Sequence, residues 1–471
     1  MRTEKDSMGS MEVADDALFG ASTQRAVLNF PISGHRLPTA FIRAFGVVKA
    51  ACAHANEELG RLPAERSLLI QKAAGEIAAG QWASDFPVDV FQTGSGTSTN
   101  MNVNEVIANR ASQLAGEPLG SKRPVHPNDD VNLGQSSNDV VPTVLHVSLA
   151  RALRDELRPA LKRLHDALRA KADEFEAVVK IGRTHLMDAT PLTMGQEFSG
   201  YAAQAAKAVQ RTDRAIAALG ELALGGTAVG TGINGHPEFA GRVAVWLSQQ
   251  TGIAFREADN HFEAQGARDD VVEVAGLLVT IAGSLAKIAN DIRLLGSGPR
   301  SGLGELRLPA TQPGSSIMPG KVNPVMSEML VQVAHYVHGL SATVAACGRD
   351  GHFELNVTMP LMAYAMHESL TCLANGASVF AERCVSGLEV DGERCGELVG
   401  RSLMLVTALN PYIGYDRAAE VAKEAHASGR TLREVVIEKG WLDEETLDKA
   451  LDPKTMVGEL PKPNDFKPSE A

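Results

Sequence analysis

Residues 271–295 read VVEVAGLLVTIAGSLAKIANDIRLL, and the fold turns on how such a segment is covered. Apolar side chains recur at the three- and four-residue spacing of a helix, but they also fill most of the remaining positions, so the segment is apolar almost all round. A helix of that kind is enclosed by other helices on every side. The simplest arrangement that encloses it is a central bundle shared between subunits, which makes the chain an obligate oligomer. Its uncharged core, 274–286, is too short to span a bilayer, and no membrane role is expected.

The neighbouring sequence extends this reading. From 137 to about 172 the chain runs VVPTVLHVSLARALRDELRPALKRLHDALRAKAD after Ser137, Asn138 and Asp139, again with helical spacing. Further long helices are expected over about 193–219, 267–295 and 324–346. Before them, segments such as GEPLGSKRPVHPNDD are broken by Gly, Pro and Asn into an irregular first region. After about Phe353 comes another helical section, then an amphipathic tail over 415–439 and a polar Pro/Lys/Asp end expected to fray. The protein is therefore expected to be mainly α, with three regions: 1–136, mixed and helical; 137–353, the bundle; and 354–471, small and helical.

Composition agrees with packed helices. The 471 residues are 44% hydrophobic and only 5% aromatic, which suits helices better than a β-sandwich. Lys plus Arg number 45 against 57 Asp plus Glu, a formal charge of −12, so nucleic acid and anionic membranes are not expected partners. An anionic substrate would need positive groups and helix N-termini gathered locally. The five cysteines form no CxxC pair and no metal-finger spacing, and they are expected as free thiols in a reducing cytoplasm. The charged N-terminus has no apolar h-region and reads as neither a secretory nor a transit peptide.

One stretch interrupts the bundle. Residues 296–320, GSGPRSGLGELRLPATQPGSSIMPG, are too rich in Gly and Pro for a helix and long for a structureless loop, which marks a lid or a catalytic loop. The loop ends in GSSIMPGKVNP (314–324), where Asn323 is placed to cap a helix and Pro324 to open it. Two serines and a lysine running into a helix N-terminus can offer hydroxyls, N–H groups and a cation to a carboxylate. On composition alone, an ordinary loop and cap is the favoured explanation.

GSSIMPGKVNP resembles the signature of the fumarase/aspartase superfamily. TGSGTSTNMNVNE (93–105), HPNDDVN (126–132), QSSND (135–139), GRTH (182–185) and GTGIN (230–234) resemble class II fumarases in order and spacing, over nearly the whole chain. TGSGT and the Gly320 of MPGK match fumarases better than aspartases. Gly134 and Ser327 depart from commoner residues and remove no site group.

The resemblance implies a three-domain fold whose central bundle is shared in a homotetramer, and the reversible hydration of fumarate to (S)-malate in the tricarboxylic acid cycle, without metal or cofactor. Aspartate ammonia-lyase on the same fold is the alternative, and a non-catalytic relative a more distant one. The reaction removes a weakly acidic C3 proton beside a carboxylate, so an aci-carboxylate dianion must be stabilised by positive charge and fixed donors. By similarity, Ser315 is the base, made credible by Lys321 and N–H donors, while Lys321, Asn323 and Ser316 hold a substrate carboxylate. Ser95, Gly96 and Thr97 form a second clamp, joined by Ser136, Ser137 and Asn138 at a helix start and by Thr184. His185 pairs with Glu328 to activate water. Arg123, His126, Asn128 and Asp129 resemble a second carboxylate site near the entrance, with a rigid Pro-rich turn as an equally good explanation. In the family, each site draws on three subunits.

Overall fold

The computed structural model describes residues 1–461; most of the polar Pro/Lys/Asp end lies outside the described residues. The molecule is mainly α. Four helices dominate: Met194–Ala218, Asp269–Leu295, Val325–Gly348 and Met359–Arg383. The strands among the described residues form five separate two-stranded sheets.

The chain divides into two compact units. One contains Met1–Pro159, Gln210–Ala282 and Val333–Ala374; the other contains Ala160–Val209, Gly283–Gln332 and Asn375–Ala471. In the first, Thr39–Glu58 packs on Ala64–Ala78 and buries Phe41, Phe45, Val48 and Ala51. In the second, Val399, Leu409, Val421, Leu432, Val435 and Leu447 form an apolar core, each buried side chain contributing about 1.5–3 kcal/mol relative to exposure.

Asp269–Leu295 is helical, as its spacing predicts, but the chain covers one face only. Val271, Val274, Leu278, Ile281, Leu285, Ile288 and Ile292 are fully buried, whereas Val272, Leu277, Val279 and Ala286 are only partly covered. Among the described residues, enclosure on every side is therefore not provided within one chain. The whole helix, unlike the uncharged run inside it, is long and apolar enough to cross a membrane by length and composition.

The helix expected over 137–172 runs as Ser137–Ala152, a π-helical turn at Leu153–Leu157, and Arg158–Glu174. Pro159 has no N–H for the carbonyl one turn back, and the widened turn absorbs the break in the ladder. The amphipathic tail splits into Tyr415–Ser428 and Leu432–Lys439. Gly429 ends the first helix at φ +72°, and Thr431 with Glu434 forms a capping box for the second.

Candidate active site

Three groups of sequence-selected residues lie in the first unit. TGSGTS enters the helix Thr97–Leu114 through Gly96 at φ +76°, which offers no side-chain cap, and the Thr99 N–H of the first turn is accepted by Gln92 Oε1 at 3.0 Å. A Cβ at Gly94 would lie 1.7 Å from the Val357 carbonyl oxygen, and one at Gly96 would lie 2.8 Å from Val141. The turn is thus built on close backbone approach. Ser95 Oγ and Thr97 Oγ1 are 2.8 Å apart.

Ser136, Ser137 and Asn138 open the helix Ser137–Ala152. Ser136 Oγ accepts the Asn138 N–H at 3.2 Å, and Asp139 Oδ1 accepts the Ser136 N–H at 2.8 Å, a complete capping box. Asn138 Nδ2 donates to the Ala228 carbonyl at 2.8 Å. Asp139 Oδ2 accepts N–H groups from Gly225 and Thr227 at 3.1 and 2.8 Å, which ties the loop before GTGIN to this helix. Burial nonetheless raises the Asp139 carboxyl to about 6. Just before the helix, Gly134 adopts φ +72°, a conformation a serine reaches only with strain.

The third group, Arg123 to Asp129, is a rigid turn. His126 caps the π-helical turn Pro127–Val131: its Nδ1 accepts the N–H groups of Asn128 and Asp129 at 3.3 and 3.1 Å. Arg123 is largely exposed, with Glu117 3.7 Å away.

Thr184, His185, Ser315, Ser316, Lys321, Asn323 and Glu328 belong to the second unit. Val179–Thr184 pairs with Met187–Thr193, leaving His185 and Leu186 as a two-residue turn at φ +58° and +62°. Such a turn favours Asn-Gly, and its use of bulky residues is a local strain of the kind held at functional positions. The adjacent Arg183 is bidentate on the fully buried Glu305 at 2.8 and 3.1 Å, which fixes the hairpin base.

In the signature loop, Gly314 N–H donates to the Lys321 carbonyl at 2.9 Å, and Asn323 Nδ2 donates to the Gly314 carbonyl at 2.6 Å. Ser315 Oγ accepts the N–H groups of Ile317 and Met318 at 3.3 and 3.1 Å. The expected cap is displaced by one residue. The helix begins at Val325, Pro324 provides the carbonyl that accepts the Glu328 N–H, and the Asn323 side chain closes the loop instead. Among the described residues, the side chains of His185, Lys321 and Glu328 have no ion-pair partner within the chain.

Sequence reasoning passed over Lys49. It is fully buried, donating at 2.8 Å to Gln135 Oε1 and at 3.1 Å to Asn132 Oδ1. Burial lowers its amine to about 8, and the nearby Cys52 thiol is pushed up to about 12. The available signal was a single lysine inside the apolar run AFGVVKAACA, since an unpaired lysine is almost never fully buried.

The chain resembles known proteins over nearly its whole length. A family model described as "Lyase" matches residues 9–339, and one described as "Fumarase C C-terminus" matches 405–458. The chain is 52% identical to the class II fumarate hydratase of Thermosynechococcus vestitus over 458 residues, covering 97% of this chain and 98% of that protein. It is 55% identical over 456 residues to the class II enzyme of Halobacterium salinarum, covering 97% of each. With the mitochondrial fumarate hydratase of Homo sapiens it shares 52% over 459 residues, covering 97% and 90%. Among solved structures, class II fumarase from Schistosoma mansoni superposes with a TM-score of 0.94 at 40% identity, covering 97% and 98% of the two chains. A Brucella melitensis fumarate lyase:delta crystallin, solved bound to cobalt, gives 0.93 at 47%, covering 97% and 99%.

Proposed function

This chain belongs to the class II fumarases of the fumarase/aspartase superfamily and is a hydro-lyase, and we propose that it interconverts fumarate and (S)-malate with Ser315 as the base at C3. Relatives at about half identity over nearly their full length are fumarate hydratases, so the ammonia-lyase alternative is not favoured.

The observation that carries the assignment of the base is the environment of Ser315. Its Oγ accepts two backbone N–H groups of its own loop. Donors to an oxygen stabilise its anion, which lets a serine serve as a base without a neighbouring histidine. In the dehydration direction, Ser315 alkoxide takes the C3 proton and the C–H electron pair moves into the adjacent carboxylate as an aci-carboxylate. The C2–O bond then breaks, and hydroxide leaves as water with a proton delivered through His185 and Glu328.

Lys321, Asn323 and Ser316 hold the carboxylate on which charge develops. Ser95, Gly96, Thr97, Ser136, Ser137, Asn138 and Thr184 bind the rest of the dianion at two helix N-termini and the hairpin. Arg123, His126, Asn128 and Asp129 form an accessory carboxylate site.

The enzyme acts as a cytoplasmic homotetramer in which each site takes segments from three subunits. Support for an assembly comes from the half-covered helix Asp269–Leu295 and from the exposed Leu186, Met187 and Ile317 beside proposed site residues. Ser315→Ala tests the assignment: a folded oligomer that has lost nearly all malate turnover is expected, and full activity would remove Ser315 as the base.

A further inference from the structure

The buried amine of Lys49 has no carboxylate within ion-pair distance among the described residues. It reaches Asn132 and Gln135 in the turn before Ser137–Ala152, and Asn132 in turn meets Asn100 and Asn104 of the helix Thr97–Leu114. A lysine carries donors only, so whatever it touches must present oxygen. Asn132 therefore turns Oδ1 toward Nζ, and the same oxygen receives Nδ2 of Asn100 and of Asn104, each at 3.2 Å. With its amide nitrogen thus directed, Asn100 also donates to Ser137 Oγ at 3.1 Å. Because Ser137 Oγ is an acceptor there, its own O–H is left to donate elsewhere.

The arrangement is kept at a cost: Asn100 Oδ1 and Asn104 Oδ1 are buried without a partner. Rotating either amide would satisfy that oxygen elsewhere only by turning oxygen toward oxygen at Asn132. Gln135 completes the frame. Its Oε1 accepts from Lys49, its Nε2 donates to Val131 at 3.1 Å, and its carbonyl accepts Asn132 Nδ2 at 3.1 Å.

We propose that Lys49 is a positioning residue that sets the direction of the Asn132–Asn100–Ser137 hydrogen-bond chain, so that the Ser137 hydroxyl donates to a substrate carboxylate and the two helix N-termini are held in register. The inference rests on the binding role of Ser137 given above. Lys49 does not touch the substrate, and the contact it supports is present in ground and transition states alike. Its loss therefore weakens binding more than chemistry.

The test compares Lys49→Met with the wild-type enzyme in KM and kcat for malate, in the Kd of the unreactive dianion succinate, and in oligomeric state. A rise of tenfold or more in KM and in the succinate Kd is expected, with kcat within about threefold and the oligomer intact. Unchanged KM and Kd would overturn the proposal, as would a loss of kcat alone or dissociation with binding unchanged per folded site. Should Lys49→Met fail to fold, Asn100→Leu decides, since it cuts the chain between Asn132 and Ser137 and leaves the cation in place: the same rise in KM supports the proposal and a wild-type KM refutes it. Full turnover in Ser315→Ala would sink the catalytic assignment whatever Lys49 does, whereas an inactive Ser315→Ala beside a normal Lys49→Met defeats this inference alone.

Discussion

The turn at Asn132 and the loop at Gly314 both lead into helices, and they are built in opposite ways. The first is half-buried and backed by the buried Lys49, Asn100 and Asp139, which with Asn132 and Gln135 are all engaged in hydrogen bonds. The second is largely exposed, held by a Gly314–Lys321 backbone bond and one Asn323 contact, with no ion-pair partner for Lys321 among the described residues. A buried polar frame fixes geometry before substrate arrives, so its groups need no reorganisation on binding. An exposed loop keeps its groups available for what comes to it, a substrate or another subunit. On this account, the first region determines affinity and the second performs the chemistry.

The largest expected effect falls on the exposed loop. Ser315→Ala should lower kcat by about 10²–10⁴-fold in a steady-state malate assay while leaving KM and unfolding little changed; a large effect on stability would place Ser315 with the structural turn instead. Arg183→Gln should cost stability on the order of 3 kcal/mol in denaturant unfolding, because Glu305 is fully buried and among the described residues keeps only Lys180, at 3.8 Å, as an ion-pair partner. Wild-type unfolding would show that the hairpin is held by other contacts.

The pH dependence sharpens the contrast further. The folded-state value of Lys49, about 8, lies below its ordinary 10.5, so the unfolded chain binds more protons between the two. Stability from this group therefore rises as pH climbs from about 8 to 10.5, by about 3 kcal/mol in total. Asp139 and Cys52 are the ionisable neighbours acting on it. The difference in unfolding free energy between wild type and Lys49→Met should move by that amount across the window; a flat difference would contradict a charged amine in the frame. The smallest effect belongs to the entrance turn, where His126→Ala should leave kcat/KM roughly unchanged if that site is accessory.

Much of the fold was legible because long helices carry a strong periodic signal. The expected helix over 193–219 is observed at Met194–Ala218, and that over 324–346 at Val325–Gly348. Local exceptions had local causes. The π-helical turn reflects one proline whose effect on the ladder depends on its neighbours, and the His185–Leu186 turn lacks the Asn-Gly signal by which such hairpins are recognised. The apolar positions that the described chain leaves partly covered on Asp269–Leu295 agree with a helix shared between subunits, although composition reports how apolar a face is and not which chain meets it. Ser136, Ser137 and Asn138 were found through their motif, but Lys49, nearly ninety positions earlier, has no local pattern linking it to them. Only the fold brings its donors to Asn132 and Gln135.

The most direct measurement of the central claim is the ultraviolet absorbance of fumarate formed by the purified protein, from L-malate and separately from L-aspartate, with and without chelator. The account predicts fumarate from malate at a rate the chelator does not alter, and none from aspartate. Fumarate from aspartate, or from neither substrate, would contradict it.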